Sequence, residues 1–278
     1  MRLYRIAMIE IISGTYYFIF FLYVLWLQVW DESWRIFMSD YSKYLIVKEE
    51  VNEELIRKYG NRASLDGILS PSVYFTPERT KIAFVTKETY AKKGEYAWSP
   101  VQDPDNLYCI PEETNVPLSV IRDNFSSLLD DGSGNITGFG YFNISKKAKE
   151  LVDGDTSSNS FSLKKSFNID KHIFWKLLHA SVPEFIIFGG TFGYVWDDLR
   201  KEYGDYFYPI RFTKDMELNQ FPEKQFSAWK MENRPFPVLI QTYHPSCPEN
   251  VFNTIPRAIN EIKEGSYILE KYEVTQGD

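Results

Sequence analysis

The chain has 278 residues, 44% of them hydrophobic and 25% charged, with a formal net charge of −7. That balance excludes a disordered, collagenous or low-complexity chain, and it excludes a broadly basic coat for nucleic acid while leaving room for a local basic patch. The length suits one large α/β domain or two smaller ones, and 17% aromatic residues point to a thick core or to stacking surfaces. Cys109 and Cys247 are too few for a disulfide framework or a four-cysteine zinc site. His172, His179 and His244 are too scattered for a His-rich metal site, so no metal is expected.

Residues 11–30 carry no charged side chain, and a run of about 20 such residues is long enough to cross a bilayer as a helix. Arg2 and Arg5 precede the run, while Asp31, Glu32 and Arg35 follow it. This flank bias favours a cytoplasmic N-terminus and would put residues 38–278 on the other side. The run is too long for a signal-peptide core. A second reading starts at Met38, which opens like an ordinary soluble domain and leaves residues 1–37 as an extension outside the folded unit. The organisation is therefore read as a hydrophobic N-terminal segment, 1–37, and an α/β domain, 38–278. Two locations stay open: cytoplasmic, or membrane-anchored through residues 11–30.

Residues 39–59 place Tyr44, Val47, Val51 and Leu55 on one stripe, which predicts an amphipathic helix stopped at Gly60. Residues 61–80, with Pro71 and Pro77, read as loop. Lys81-Ile-Ala-Phe-Val-Thr86 is a short apolar run of the kind buried inside a sheet. Residues 91–117 are loop-rich, and a helix is expected over about 117–130. Phe139-Gly-Tyr-Phe-Asn-Ile144 is a second buried strand, and residues 153–162 form a loop. A helix over 169–181 turns Ile173, Phe174, Leu177 and Leu178 inward and ends before Pro183. Glu184-Phe-Ile-Ile-Phe188 is a third strand, leading through Gly189-Gly190 into a helix that reaches Arg200. Residues 203–234 read as irregular. Pro237-Val-Leu-Ile-Gln-Thr242 is a fourth strand, followed by a helix carrying Ile255, Ala258, Ile259 and Ile262, with Pro256 tolerated in its first turn.

Four apolar strands separated by helices require crossover connections. The predicted fold is a three-layer α/β/α sandwich around a mainly parallel four-stranded sheet. Ligands bind such sheets beyond the carboxyl ends of the strands. The residues to read are thus Lys87, Glu88 and Tyr90; Asn143 with Lys146 and Lys147; Gly189 and Gly190; and His244, Pro245 and Ser246.

Those four segments, in that order, resemble the uracil-DNA glycosylase superfamily. Tyr243-His-Pro-Ser246 is similar to the His-Pro-Ser motif of that family's DNA-intercalation loop. Phe142-Asn143 resembles its strand-terminal Asn that reads the uracil edge. Val85-Thr-Lys-Glu-Thr-Tyr90 stands in the place of its first motif, with Thr86 and Thr89 where glycine and proline are usual and Ala91 where one branch has His. Ala97-Trp98-Ser99 lies about where family members carry a base-stacking aromatic. The resemblance covers roughly residues 40–265 and implies a DNA glycosylase without metal or organic cofactor, acting as a monomer on a flipped base in single-stranded or damaged DNA.

Breaking a base–sugar bond builds positive charge on the sugar and negative charge on the base. By position, Glu88 would steady the sugar and orient water, and His244 would donate a hydrogen bond to the departing base. Asn143 has donor and acceptor atoms for a pyrimidine edge. Trp98 or Tyr96 would stack on the base, and Tyr90, where some branches carry a Tyr, would contact the substrate. Lys87, Lys146 and Lys147 would form a basic rim, and Ser246, Gly189 and Gly190 would approach the phosphates. Each has a structural alternative. Glu88 can pair with Lys87, Lys92 or Lys93, His244 can merely shape its turn, and Asn143 can tie down its own loop. Ser246 can cap a helix with Glu249 three residues on, and the glycines can serve a tight turn. A catalytically silent nucleic-acid or nucleotide-binding domain is the alternative function. Asp130-Asp-Gly-Ser-Gly-Asn-Ile136 lacks the end ligands of a calcium loop, Gly138-Phe-Gly140 precedes a strand rather than following one, and Cys247 near His244 makes no nucleophile pair by adjacency alone.

Overall fold

A computed structural model describes residues 40–91, 97, 116–129, 136–150, 160–203, 206–232, 236–247 and 251–271. The strands are β1 (Gly67–Ile68), β2 (Ile82–Thr86), β3 (Tyr90–Ala91), β4 (Gly140–Asn143), β5 (Lys149–Glu150), β6 (Phe185–Gly189), β7 (Phe207–Phe212), β8 (Phe226–Met231), β9 (Val238–Thr242) and β10 (Tyr267–Leu269). The helices are α1 (residues 40–59), α2 (Pro71–Tyr74), α3 (Val116–Leu129), α4 (Ser160–Ala180), α5 (Phe192–Tyr203) and α6 (Ile255–Lys263).

The class is α/β, as expected, but the sheet is larger than expected. It has eight strands in the order β1-β4-β2-β6-β9-β8-β7-β10. The four strands read from the sequence lie side by side and pair in parallel. Four further strands flank them, and all of these pair antiparallel, so the sheet is mixed rather than four-stranded and mainly parallel. A separate two-stranded parallel sheet joins β3 to β5.

Every residue of β2 and β6 is buried, because helices cover both faces of the sheet. Alternation along each strand deals its side chains to two cores. Ala83, Val85, Ile186, Phe188 and Leu239 meet α1, α4 and α5. Ile82, Phe84, Ile187, Val238 and Ile240 meet α3 and α6. The Phe84 ring stands edge-on to Phe125 and Phe139, with centroids 4.9 and 5.6 Å away. Burying such a ring contributes about 1.5–3 kcal/mol. The stripe read on α1 holds, with Tyr44, Val51 and Leu55 fully buried.

Four local expectations are corrected. The stretch 61–80 contains β1 and α2 rather than loop alone. α4 starts at Ser160, well ahead of residue 169, and its added turns bury Leu163 and Phe167. The stretch 203–234 contains β7 and β8, and β10 follows the last helix. Pro209 sits inside β7 because only its carbonyl is needed there, accepting from the Glu270 N–H at 2.9 Å. Among the described residues no helix is long and apolar enough to cross a membrane, and residues 11–30 lie outside them.

Candidate functional site

The parallel strands β4, β2, β6 and β9 end on one edge of the sheet, and two polar groups gather there. The first is sealed. Asp66, just ahead of β1, accepts from the Asn143 backbone N–H at 2.7 Å, the Asn143 side-chain amide at 2.9 Å and the Ser64 hydroxyl at 2.9 Å. Lys146 pairs with the same carboxylate and donates to the Asn143 carbonyl at 2.7 Å. The Asn143 amide oxygen is taken by the Thr86 hydroxyl at 2.8 Å. Asp66 and Asn143 are 1% exposed and Lys146 is 0% exposed. A charge pair withdrawn this far from water stands only because hydrogen bonds fill its remaining valences.

Two expectations therefore meet different surroundings. Lys146 is no rim lysine: its ammonium is inside, over the Phe174 ring at 5.2 Å. Asn143 has its amide engaged at both ends, so its observed role is to lock the β4 terminus. Lys147 is exposed, and its ammonium lies 5.9 Å from the Tyr59 ring centroid.

The second group is open. Lys87 and Glu88 follow β2 and are partly exposed. Their loop is stitched to the chain after β4 by backbone bonds from Ile144 N to Thr86 O and from Ser145 N to Lys87 O, each 3.0 Å. His244 follows β9. The Ser246 N–H donates to its Nδ1 at 3.3 Å, and the Ser246 hydroxyl lies 2.6 Å from the same atom. A backbone N–H can only donate, so Nδ1 is the acceptor and the neutral ring carries its proton on Nε2. Burial, reinforced by the nearby Lys87 ammonium, pushes the His244 pKa down to about 4. The imidazole is thus neutral at physiological pH and offers one N–H donor. The observed bond makes Ser246 the residue that orients this ring; the cap with Glu249 lies outside the described residues.

Between Lys87 and His244 runs β6, ending in Gly189-Gly190. A Cβ on Gly189 would lie 3.0 Å from the Pro245 ring, and one on Gly190 would lie 3.2 Å from the His244 nitrogen. Gly190 also has φ +67°, where side chains are disfavoured. Its N–H donates to Thr242 O at 2.8 Å. The next residue, Thr191, donates to Val85 O at 2.9 Å and ties this turn to β2. α5 then begins, and Tyr194 in its first turn has its phenol pKa raised by burial and by the Glu88 carboxylate.

The structure thus brings Lys87, Glu88, Gly190, Tyr194 and His244 to one rim, with the Asp66–Asn143–Lys146 cluster at the same sheet end. Trp98 and Tyr96 lie outside the described residues, as does the side chain of Tyr90. Sequence reading missed Asp66, Thr191 and Tyr194. Only the glycine pair hinted at the last two, since the residues after it had to open a helix. A cavity of about 360 Å³ lies elsewhere, between Ile210, Phe212, Phe221 and Phe226, and none of the expected site residues lines it. Among the described residues no cluster of His, Cys, Asp and Glu could hold a metal ion. No protein-family model matches this chain, and no curated protein matches it significantly.

Proposed function

We propose that this protein is a uracil-DNA-glycosylase-like hydrolase that cuts the N-glycosidic bond of a flipped uracil or related base in DNA. The observation that carries this reading is His244: a neutral imidazole, oriented by Ser246, that carries its proton on Nε2 at the carboxyl ends of the parallel strands, with Lys87 near it. Such a donor stabilises negative charge as it develops on a leaving base oxygen without first giving up a proton. Glu88 orients water towards the anomeric carbon and takes its proton as the new C–O bond forms. The electron pair of the broken C–N bond leaves with the base. Asn143 is assigned to the scaffold rather than to base reading, since its amide is already engaged. The reading carries with it single-stranded or damaged DNA as partner, a monomeric state and a cytoplasmic location.

The test is release of free base from uracil-containing oligonucleotides by the full chain. Glu88→Ala and His244→Ala are each expected to lower the rate by about 10²–10³-fold, the usual cost of removing one such group. A folded wild-type chain that releases no base from uracil or other deaminated bases rejects the reading. One observation favours a second reading, a catalytically silent domain that binds nucleic acid or a nucleotide: the sealed amide of Asn143 leaves less to recognise a base. It predicts oligonucleotide binding without base release.

A further inference from the structure

Adjacent strands lie about 4.8 Å apart, so β2 and β9, which flank β6, end about 10 Å apart. At the end of the strand between them stand Gly189 and Gly190, where a Cβ would crowd Pro245 or His244 at 3.0 and 3.2 Å. Nothing therefore rises from β6 to separate Lys87 from His244, and the two groups sense each other electrostatically. The Lys87 ammonium differs from the ion-paired lysines of this acidic chain, and although half-buried Lys48 likewise forms no ion pair among the described residues, only Lys87 stands across from His244. Lys58, Lys146, Lys171 and Lys176 each hold a carboxylate. Among the described residues no ion pair is formed by Lys87, although its side chain is half-buried. A partly desolvated cation without a counterion, in a chain with acids in excess, is a place for an anion.

Resting on the glycosylase reading, we infer that Lys87 is a catalytic residue that, with His244 across the glycine pair, takes up the negative charge of the departing base. The substrates are then bases that leave as lactam anions, with the charge shared between the ring nitrogen and an exocyclic oxygen. The C–N electron pair moves to that nitrogen and oxygen, water supplies the oxygen bonded to the anomeric carbon, and the base recovers a proton from solvent after release. A backbone phosphate is the other source of negative charge, and the dependence on leaving group and on salt separates the two.

The experiment compares base release by wild type, Lys87→Gln and Lys87→Arg from oligonucleotides carrying fluorouracil, uracil or thymine. The three bases share a shape and differ in how readily they leave as anions. If Lys87 bears leaving-base charge, Lys87→Gln loses about 10²-fold on thymine and uracil and about ten-fold less than that on fluorouracil, and Lys87→Arg recovers part of the loss. An equal loss on all three bases, with a weaker dependence of KM on salt, assigns Lys87 to a phosphate and overturns the inference. Unchanged rates overturn it too. No release of any base by the wild type instead rejects the glycosylase reading itself, and the inference with it.

Discussion

Two polar clusters share one end of the sheet and obey opposite rules. In the sealed one, Asp66, Asn143, Thr86 and Lys146 spend their donors and acceptors on one another and on Ser64. In the open one, Lys87 and His244 are half-buried, Lys87 forms no ion pair among the described residues, and the imidazole is kept neutral. Thr86 and Lys87 are neighbours in the chain, yet one belongs to each cluster. Successive residues of an extended chain point to opposite sides, so a single peptide step separates scaffold from chemistry. The difference teaches that polarity at a strand end is not enough to mark a site. What marks it is polarity left unspent.

Removing one member of the sealed pair should have the largest effect. Asp66→Ala leaves the Lys146 ammonium buried without its counterion, and we expect a loss of about 3–5 kcal/mol in urea unfolding. The double variant Asp66→Leu/Lys146→Met, which removes both charges and fills the space, should recover most of that loss. If Asp66→Ala unfolds like wild type, the cluster is not sealed and the contrast with the open one fails. A smaller effect is expected at the junction of the two clusters. Gly190→Ala places a side chain at φ +67° and 3.2 Å from His244 N, which should cost about 1–3 kcal/mol. It should also reduce base release beyond what that loss of stability explains, because the new methyl group displaces the imidazole.

Much of this scaffold was readable beforehand, and the unread part has a common physical cause. β2, β4, β6 and β9 announced themselves because strands covered on both faces are continuously apolar. β7 and β8 bury only part of each strand, mixing Arg211, Ser227 and Lys230 among their apolar residues, and Pro209 argued against a strand at all. The open cluster was legible because its members follow apolar strands directly, so topology placed Lys87, Glu88 and His244 before any coordinate did. Asp66 was not. It stands between short elements in a stretch with no periodicity, and its four partners come from residues 64, 143 and 146. A buried acid is indistinguishable in sequence from a solvated one until its partners are known.

A last comparison separates the clusters by pH. The folded-state pKa of His244 is pushed down to about 4 from an ordinary value near 6.5. Above about 6.5 the ring is neutral in both folded and unfolded chains and contributes nothing to the pH dependence. Between about 6.5 and about 4 the unfolded chain binds a proton that the folded chain refuses, so stability falls with pH through this window and His244 adds no further loss below it. His244→Gln removes that titration while leaving stability near pH 8 within about 0.5 kcal/mol of wild type. The thermal midpoint of wild type should therefore drop more steeply than that of His244→Gln as pH falls from about 6.5 to about 4. Parallel curves would mean that the ring protonates as easily folded as unfolded. The imidazole would then be an ordinary solvated side chain, and the open cluster would lose the neutral donor on which its chemistry rests.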